Sequence, residues 1–127
     1  MPSQNPGPRL RDILEQIALV HAWTEGMTLE AFVADVRTRY AVQMALVIMG
    51  EAAEALPPEL HRRHPEVHWR GLADIANTFR RQYWAIDLQI TWAGLQNEIV
   101  PLEKAVLAEL ARLDHQGDEP GSPRGEP

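Results

Sequence analysis

A chain of 127 residues is long enough to bury one hydrophobic core unaided, and without cysteine it has no disulfide scaffold, zinc ribbon or thiol nucleophile. Its net charge of −6 excludes a surface built wholly for nucleic acid. The longest apolar run, residues 40–50, is broken by Gln43 and too short to cross a bilayer, so a cytoplasmic protein without membrane contact is expected.

Residues 1–7 are polar with prolines, and an unstructured start is expected there. Leu10, Ile13, Ile17 and Val20 recur at steps of three and four, predicting a first helix over 8–25 with Gly26 as its C-terminal cap. Thr28 is a suitable N-cap for a short helix over 29–36, although Ala31 leaves the capping box incomplete. Residues 37–56 are rich in Ala, Met and Leu and stop at Pro57-Pro58, which predicts a long helix, apolar nearly all round and central. On that helix Tyr40 should be shielded, and Glu51 should accept hydrogen bonds inside the fold.

A basic, histidine-bearing connection follows, then a helix from Trp69 to about Gln82 with Leu72, Ile75, Ala76 and Phe79 inward. Leu88, Trp92, Leu95, Ile99, Leu102, Val106, Leu110 and Leu113 hold one stripe across the last helix, which Pro101 should kink or restart. Residues 114–127, DHQGDEPGSPRGEP, have no apolar side chain to offset the entropy of ordering, so the folded domain is expected over 8–113. No window alternates with the period of a strand. The expectation is an all-α fold, an antiparallel up-down bundle of four to five helices with short connections.

Between Pro57 and Tyr83 the residues Arg62, Arg63, Arg70, Arg80 and Arg81 outnumber Glu59, Glu66 and Asp74. Such a local positive face is either an ordinary solvated surface with ion pairs or a contact for RNA or phosphate. His61, His64 and His68 are spaced three and four apart, but Pro65 interrupts them and no acidic residue nearby completes a ligand set, so neither metal nor cofactor is expected. His21 reads as an exposed or hydrogen-bonded helix residue, and Trp23, Trp69, Trp84 and Trp92 read as core or interface anchors. No serine-histidine-acid set or phosphate-cradling glycine loop is present.

The fragments Arg11-Asp12-Ile13-Leu14-Glu15-Gln16-Ile17, Gly50-Glu51-Ala52-Ala53, Leu56-Pro57-Pro58-Glu59-Leu60, His64-Pro65, Trp69-Arg70, Asn77, Asp87 and Trp92 to Leu102 follow one another in a set order and spacing from Leu10 to about Leu110. In that order and spacing the chain resembles the HepT-like toxins of the HEPN superfamily. The resemblance implies a metal-independent ribonuclease whose signature on the fourth helix is Arg, Asn, several residues, His, any residue, Tyr. Those positions hold Ala76, Asn77, Arg81 and Tyr83 here, so two catalytic elements are replaced. Attack by an RNA 2′-hydroxyl needs a proton carrier near neutral pH and charge stabilisation at phosphorus. Arginine stays protonated and only donates hydrogen bonds, so Arg81 can hold a phosphate but not shuttle a proton.

Arg80, four residues after Ala76, supplies a replacement cation, and Asn77, Arg80 and Arg81 are the candidate RNA or phosphate contacts. Helical spacing sets Ala76 and Tyr83 on nearly one stripe. His68 lies thirteen residues before Arg81, about 20 Å along a helix, too far to help within one subunit. The resemblance further implies a homodimer with the signature helices facing across a cleft, and a minimal nucleotidyltransferase (MNT) antitoxin that adenylylates Tyr83. The function so indicated is the toxin side of a toxin–antitoxin pair with an impaired ribonuclease centre. The alternatives are an active ribonuclease with non-standard catalytic residues and a helical partner-binding module outside such a pair.

Overall fold

Leu10, Ile13, Ile17 and Val20 are all buried, and they form the inner stripe of helix α1, Gly7–Thr24. The structure, a computed structural model, describes residues 5–117. The unstructured ends expected from the sequence therefore fall mostly outside the described residues, although α1 already begins at Gly7, where the Asn5 side chain accepts the Gly7 N–H.

Gly26, at φ 77°, takes the left-handed conformation that lets the chain leave α1 sharply. Thr28 then caps α2, Leu29–Ala34, its hydroxyl accepting the Ala31 N–H at 3.1 Å. Asp35 ends α2 and caps α3, Val36–Glu54, accepting the Thr38 N–H at 3.0 Å. That backbone hydrogen bond to the charged form holds the Asp35 carboxyl below its ordinary range.

Helix α3 is not apolar on every side. Val42, Ala45, Leu46, Met49, Ala52 and Ala53 are buried, but Tyr40 is 62% exposed and Met44 60% exposed. Tyr40 is thus open rather than shielded, because α3 has neighbours on one face only within the chain: it packs against α1, α2 and α5. Glu51 is exposed as well and joins a surface ion pair instead of accepting hydrogen bonds inside the fold.

The prolines that stop α3 also start a helix absent from the sequence reading. Pro58 opens α4, Pro58–Arg63, where proline loses nothing because the first helical N–H has no partner in the helix. Helix α5, Trp69–Arg81, follows, so Ala76, Asn77 and Arg81 lie on the fifth helix rather than the fourth, and Tyr83 lies beyond its end. After a 3-10 turn over Tyr83–Ala85, Asp87 caps α6, Leu88–Asn97, accepting the N–H groups of Gln89 and Ile90 at 2.9 and 3.1 Å. Helix α7 runs over Ile99–Gly117, past the expected end at Leu113. The break between α6 and α7 comes ahead of Pro101, because a proline ring clashes with the carbonyl four residues earlier, here Asn97, the last residue of α6.

The described residues thus form an all-α antiparallel bundle of seven helices without strands. The number exceeds the expected four to five because α4 went unread and Pro101 divides the last stripe in two. Helix α1 packs between α3 and α7, with His21 near the end of α1 facing Glu103 near the start of α7 at 3.8 Å. Phe32 from α2 is fully buried and meets the Trp92 ring at 5.1 Å, tying the short helix to α6.

One charged group lies within this packing. Glu109 on α7, whose side chain is 5% exposed, accepts two hydrogen bonds from Arg63 at 2.8 and 3.0 Å and lies 2.6 Å from His64 Nε2. The Arg63 hydrogen bonds hold its carboxyl below the ordinary glutamate range against the opposing effect of burial, and Glu109 in turn raises the Arg63 guanidinium. This cluster fastens the end of α4 to α7.

Candidate functional site

Ala76, the first of the four positions picked out by the resemblance, sits where α5 crosses α3, and the crossing is close because both helices carry small residues there. A Cβ added at Gly50 would fall 2.5 Å from the Ala76 Cβ and 2.9 Å from the Leu72 carbonyl oxygen. Ala76 is 2% exposed, so the position that carries arginine in the signature is a helix-packing contact here. No cation can be supplied from it.

One residue further on, Asn77 faces solvent, and its side-chain oxygen accepts a hydrogen bond from Arg80. The other end of the Arg80 guanidinium donates to Glu51 on α3 at 2.9 Å. Arg80 therefore bridges the two helices beside Ala76. The ion pair is exposed, so it orients Arg80 more than it stabilises the fold. A phosphate arriving at Arg80 has to compete with Glu51, whereas Arg81 is exposed and has no ion pair among the described residues.

Tyr83 does not share a stripe with Ala76. The helix ends at Arg81, Gln82 leaves helical geometry with φ −139° and ψ 58°, and Tyr83 stands 67% exposed in the following turn. Chain reversal is the cause: Ile86 and Leu88 pack back onto the core, which a helix continued past Arg81 would carry away. The sequence places the stop at about Gln82, one residue from where it falls, but a helical stripe counted from Ala76 through to Tyr83 runs past that end. The Tyr83 phenol lies edge-on to the Trp84 indole at 5.4 Å, and Trp84 is 71% exposed.

Each of the three clustered histidines has a separate structural place at the opposite end of α5. His61 Nε2 contacts the Ala53 carbonyl at 2.8 Å and its ring stacks on Trp69 at 4.4 Å. His64 faces Glu109, and also Glu66 at 3.3 Å. The carboxylate beside His64 comes from a helix 45 residues away, which a local reading of spacing cannot supply. His68 precedes the first residue of α5, with its imidazole folded over Gly71. Trp69 donates its indole N–H to the His64 carbonyl at 3.0 Å and serves as a structural anchor, as Trp92 does.

The C-terminal end of α5 thus gathers Asn77, Arg80, Arg81 and Tyr83: one amide, two permanent cations and one phenol, with no imidazole. Such a set can bind a phosphodiester by charge and hydrogen bonds. It has no side chain that both accepts and returns a proton near neutral pH.

Residues 13–108 match the family described as Ribonuclease HepT-like. A protein of Thermococcus cleftensis named as a probable ribonuclease HepT is 34% identical over 94 residues, covering 74% of this chain and 86% of its own length. A proposed RNase of Methanocaldococcus jannaschii is 30% identical over 122 residues, or 96% of this chain and 99% of the relative. Another, from Caldanaerobacter subterraneus, is 31% identical over 103 residues, or 81% of this chain and 92% of the relative. No solved structure matches the chain significantly.

Proposed function

This chain belongs to the ribonuclease HepT-like family, and from that membership we propose that it is the toxin-side partner of a minimal nucleotidyltransferase antitoxin, with a ribonuclease centre that binds RNA but cleaves it poorly. The observation that carries the reading is that Ala76 is buried against α3 while Arg81 is exposed, which supports taking these as the signature positions of arginine and of the proton-carrying histidine, both replaced. Losing a general acid or base alone lowers a rate by about 10²–10⁴-fold. The missing cation at position 76 deepens the deficit.

In this reading Asn77, Arg80 and Arg81 hold phosphate, with Arg81 the more available cation. Tyr83 is the site at which the antitoxin transfers adenylate, and its exposure beside the end of α5 supports that role. The chain acts as a cytoplasmic homodimer with the α5 helices facing one another, and the exposed Trp84 next to the signature supports such an interface.

Incubating the purified chain with a minimal nucleotidyltransferase, ATP and magnesium tests the reading. Adenylate mass should appear on the wild type and on Tyr40→Phe, and be absent from Tyr83→Phe. Because Tyr40 is exposed, adenylate there is a real competing outcome, and it would leave the plain binding-module reading in place. Metal-independent RNA cleavage by the unmodified chain, abolished by Arg81→Ala, would favour the active ribonuclease.

A further inference from the structure

Two features flank the outer face of α5, one a protrusion and the other a recess. Trp84 projects from the turn after α5 with 71% of its surface exposed. Between the N-terminal half of α5 and helix α6 lies an apolar groove of about 340 Å³, lined by Leu46, Leu72, Ile75, Ile90, Leu95 and Leu102 among others. That volume is at the small end for a ligand pocket, with room for one aromatic side chain and not for a helix. Ile90 at its edge is 64% exposed, so apolar surface continues from the groove outward.

The polar residues between them have a self-complementary order. Asp74, Asn77, Thr78 and Arg81 fall three, four and seven positions apart, a single stripe of α5 reaching the surface. Asp74 at one end and Arg81 at the other are exposed, and neither has an ion pair among the described residues. Two such stripes laid antiparallel bring Arg81 of each copy to Asp74 of the other, with Asn77 and Thr78 at the two-fold axis. The same rotation carries the turn after α5 of one copy to the level of Leu72 in the other, where the groove opens. A two-fold interface requires this kind of reciprocity, each patch meeting its complement twice.

We infer that the α5–α6 groove is the receptor for Trp84 of a second copy of this chain, with Arg81–Asp74 pairs between the two α5 helices fixing the register. The inference rests on the homodimer of the proposed function and adds which side chain locks it and where. Shape matches, since a buried aromatic removes about 150–250 Å² from water and a central tryptophan in a fitted pocket is the usual form of an interface hot spot. Charge matches at that pair, one guanidinium meeting one carboxylate, with Arg70, four residues before Asp74 on the same face, left to solvent. Arg81 on this account has a second role besides phosphate, and it links RNA binding to dimer register.

The test uses the full chain, which has no cysteine of its own. Light scattering should report a wild-type dimer at micromolar concentration. Trp84→Ala, at an exposed position, and Gly94→Leu, which fills the groove where an added Cβ meets nothing within 4 Å, should each raise the dimer dissociation constant at least ~30-fold with folding intact by circular dichroism. A mixture of Trp84→Cys and Gly94→Cys chains should form the mixed disulfide faster than either variant links to itself. Asp74→Arg and Arg81→Asp should each weaken the dimer and restore it together.

A wild-type dimer unaffected by Trp84→Ala and Gly94→Leu would overturn the groove assignment and leave the homodimer standing. Loss of nucleotidyltransferase binding in Gly94→Leu with the dimer intact would assign the groove to the antitoxin and overturn it equally. A monomeric wild type would instead remove the homodimer itself.

Discussion

At the scale of single residues the decisive contrast is between Ala76 and Arg81, which stand in different surroundings at the two positions where the proposed reading places a missing cation and a missing proton carrier. Arg81 is exposed, so Arg81→His should leave stability within about 0.5 kcal/mol and return an imidazole to the surface of α5. Ala76 is buried against Gly50, and Ala76→Arg should cost about 1–3 kcal/mol as the long stem is forced through a tight crossing. Cleavage of single-stranded RNA by Arg81→His with Ala76→Arg should exceed that of the wild type by ~10²-fold or more, provided thermal melting shows the double variant folded. No gain from a folded double variant would place the deficit outside the signature. Among the cations, Arg80 already pairs with Glu51, so in a Trp84→Ala background, where the Arg81–Asp74 pairs between copies are lost, Arg81→Ala should weaken RNA binding and flatten its salt dependence more than Arg80→Ala. A larger effect of Arg80→Ala would show that RNA displaces that pair.

At the scale of elements, short connections are held by capping side chains and one buried charge. Asp87 satisfies two N–H groups at the start of α6, so Asp87→Ala should cost about 1 kcal/mol in urea unfolding, more than Thr28→Ala with its single bond. Glu109 fastens α4 to α7 with its carboxyl held below the ordinary range, so the unfolded chain takes up a proton at higher pH than the folded one. Its contribution is complete above the ordinary glutamate range, near ~4.3, and is lost as pH falls through the lowered folded value. Glu109→Gln should therefore cost about 1–3 kcal/mol at neutral pH, less where solvent screens the half-exposed Arg63, and flatten the acid limb of stability against pH. Unchanged acid unfolding in that variant would deny the cluster its structural role.

At the scale of the whole molecule, an acidic chain carries five of its twelve Lys and Arg residues on α4 and α5, where Glu59 and Asp74 are the only carboxylates, so any RNA bound should lie along that side. The sequence by itself determined the helical class, the inner stripes of α1, α5 and α7, the cap at Thr28 and the family, because periodicity, capping and the order of short motifs are local properties of a chain. Tertiary structure alone decided that α3 keeps Tyr40 and Met44 open, that Ala76 is packed on Gly50, that the chain past Gln82 turns Ile86 and Leu88 back to the core, and that Glu109 joins Arg63 and His64. Each of these depends on which distant segment arrives at a given face, through the return of Ile86 and Leu88 to the core or the approach of α7 to α4, and no spacing along the chain encodes that arrival.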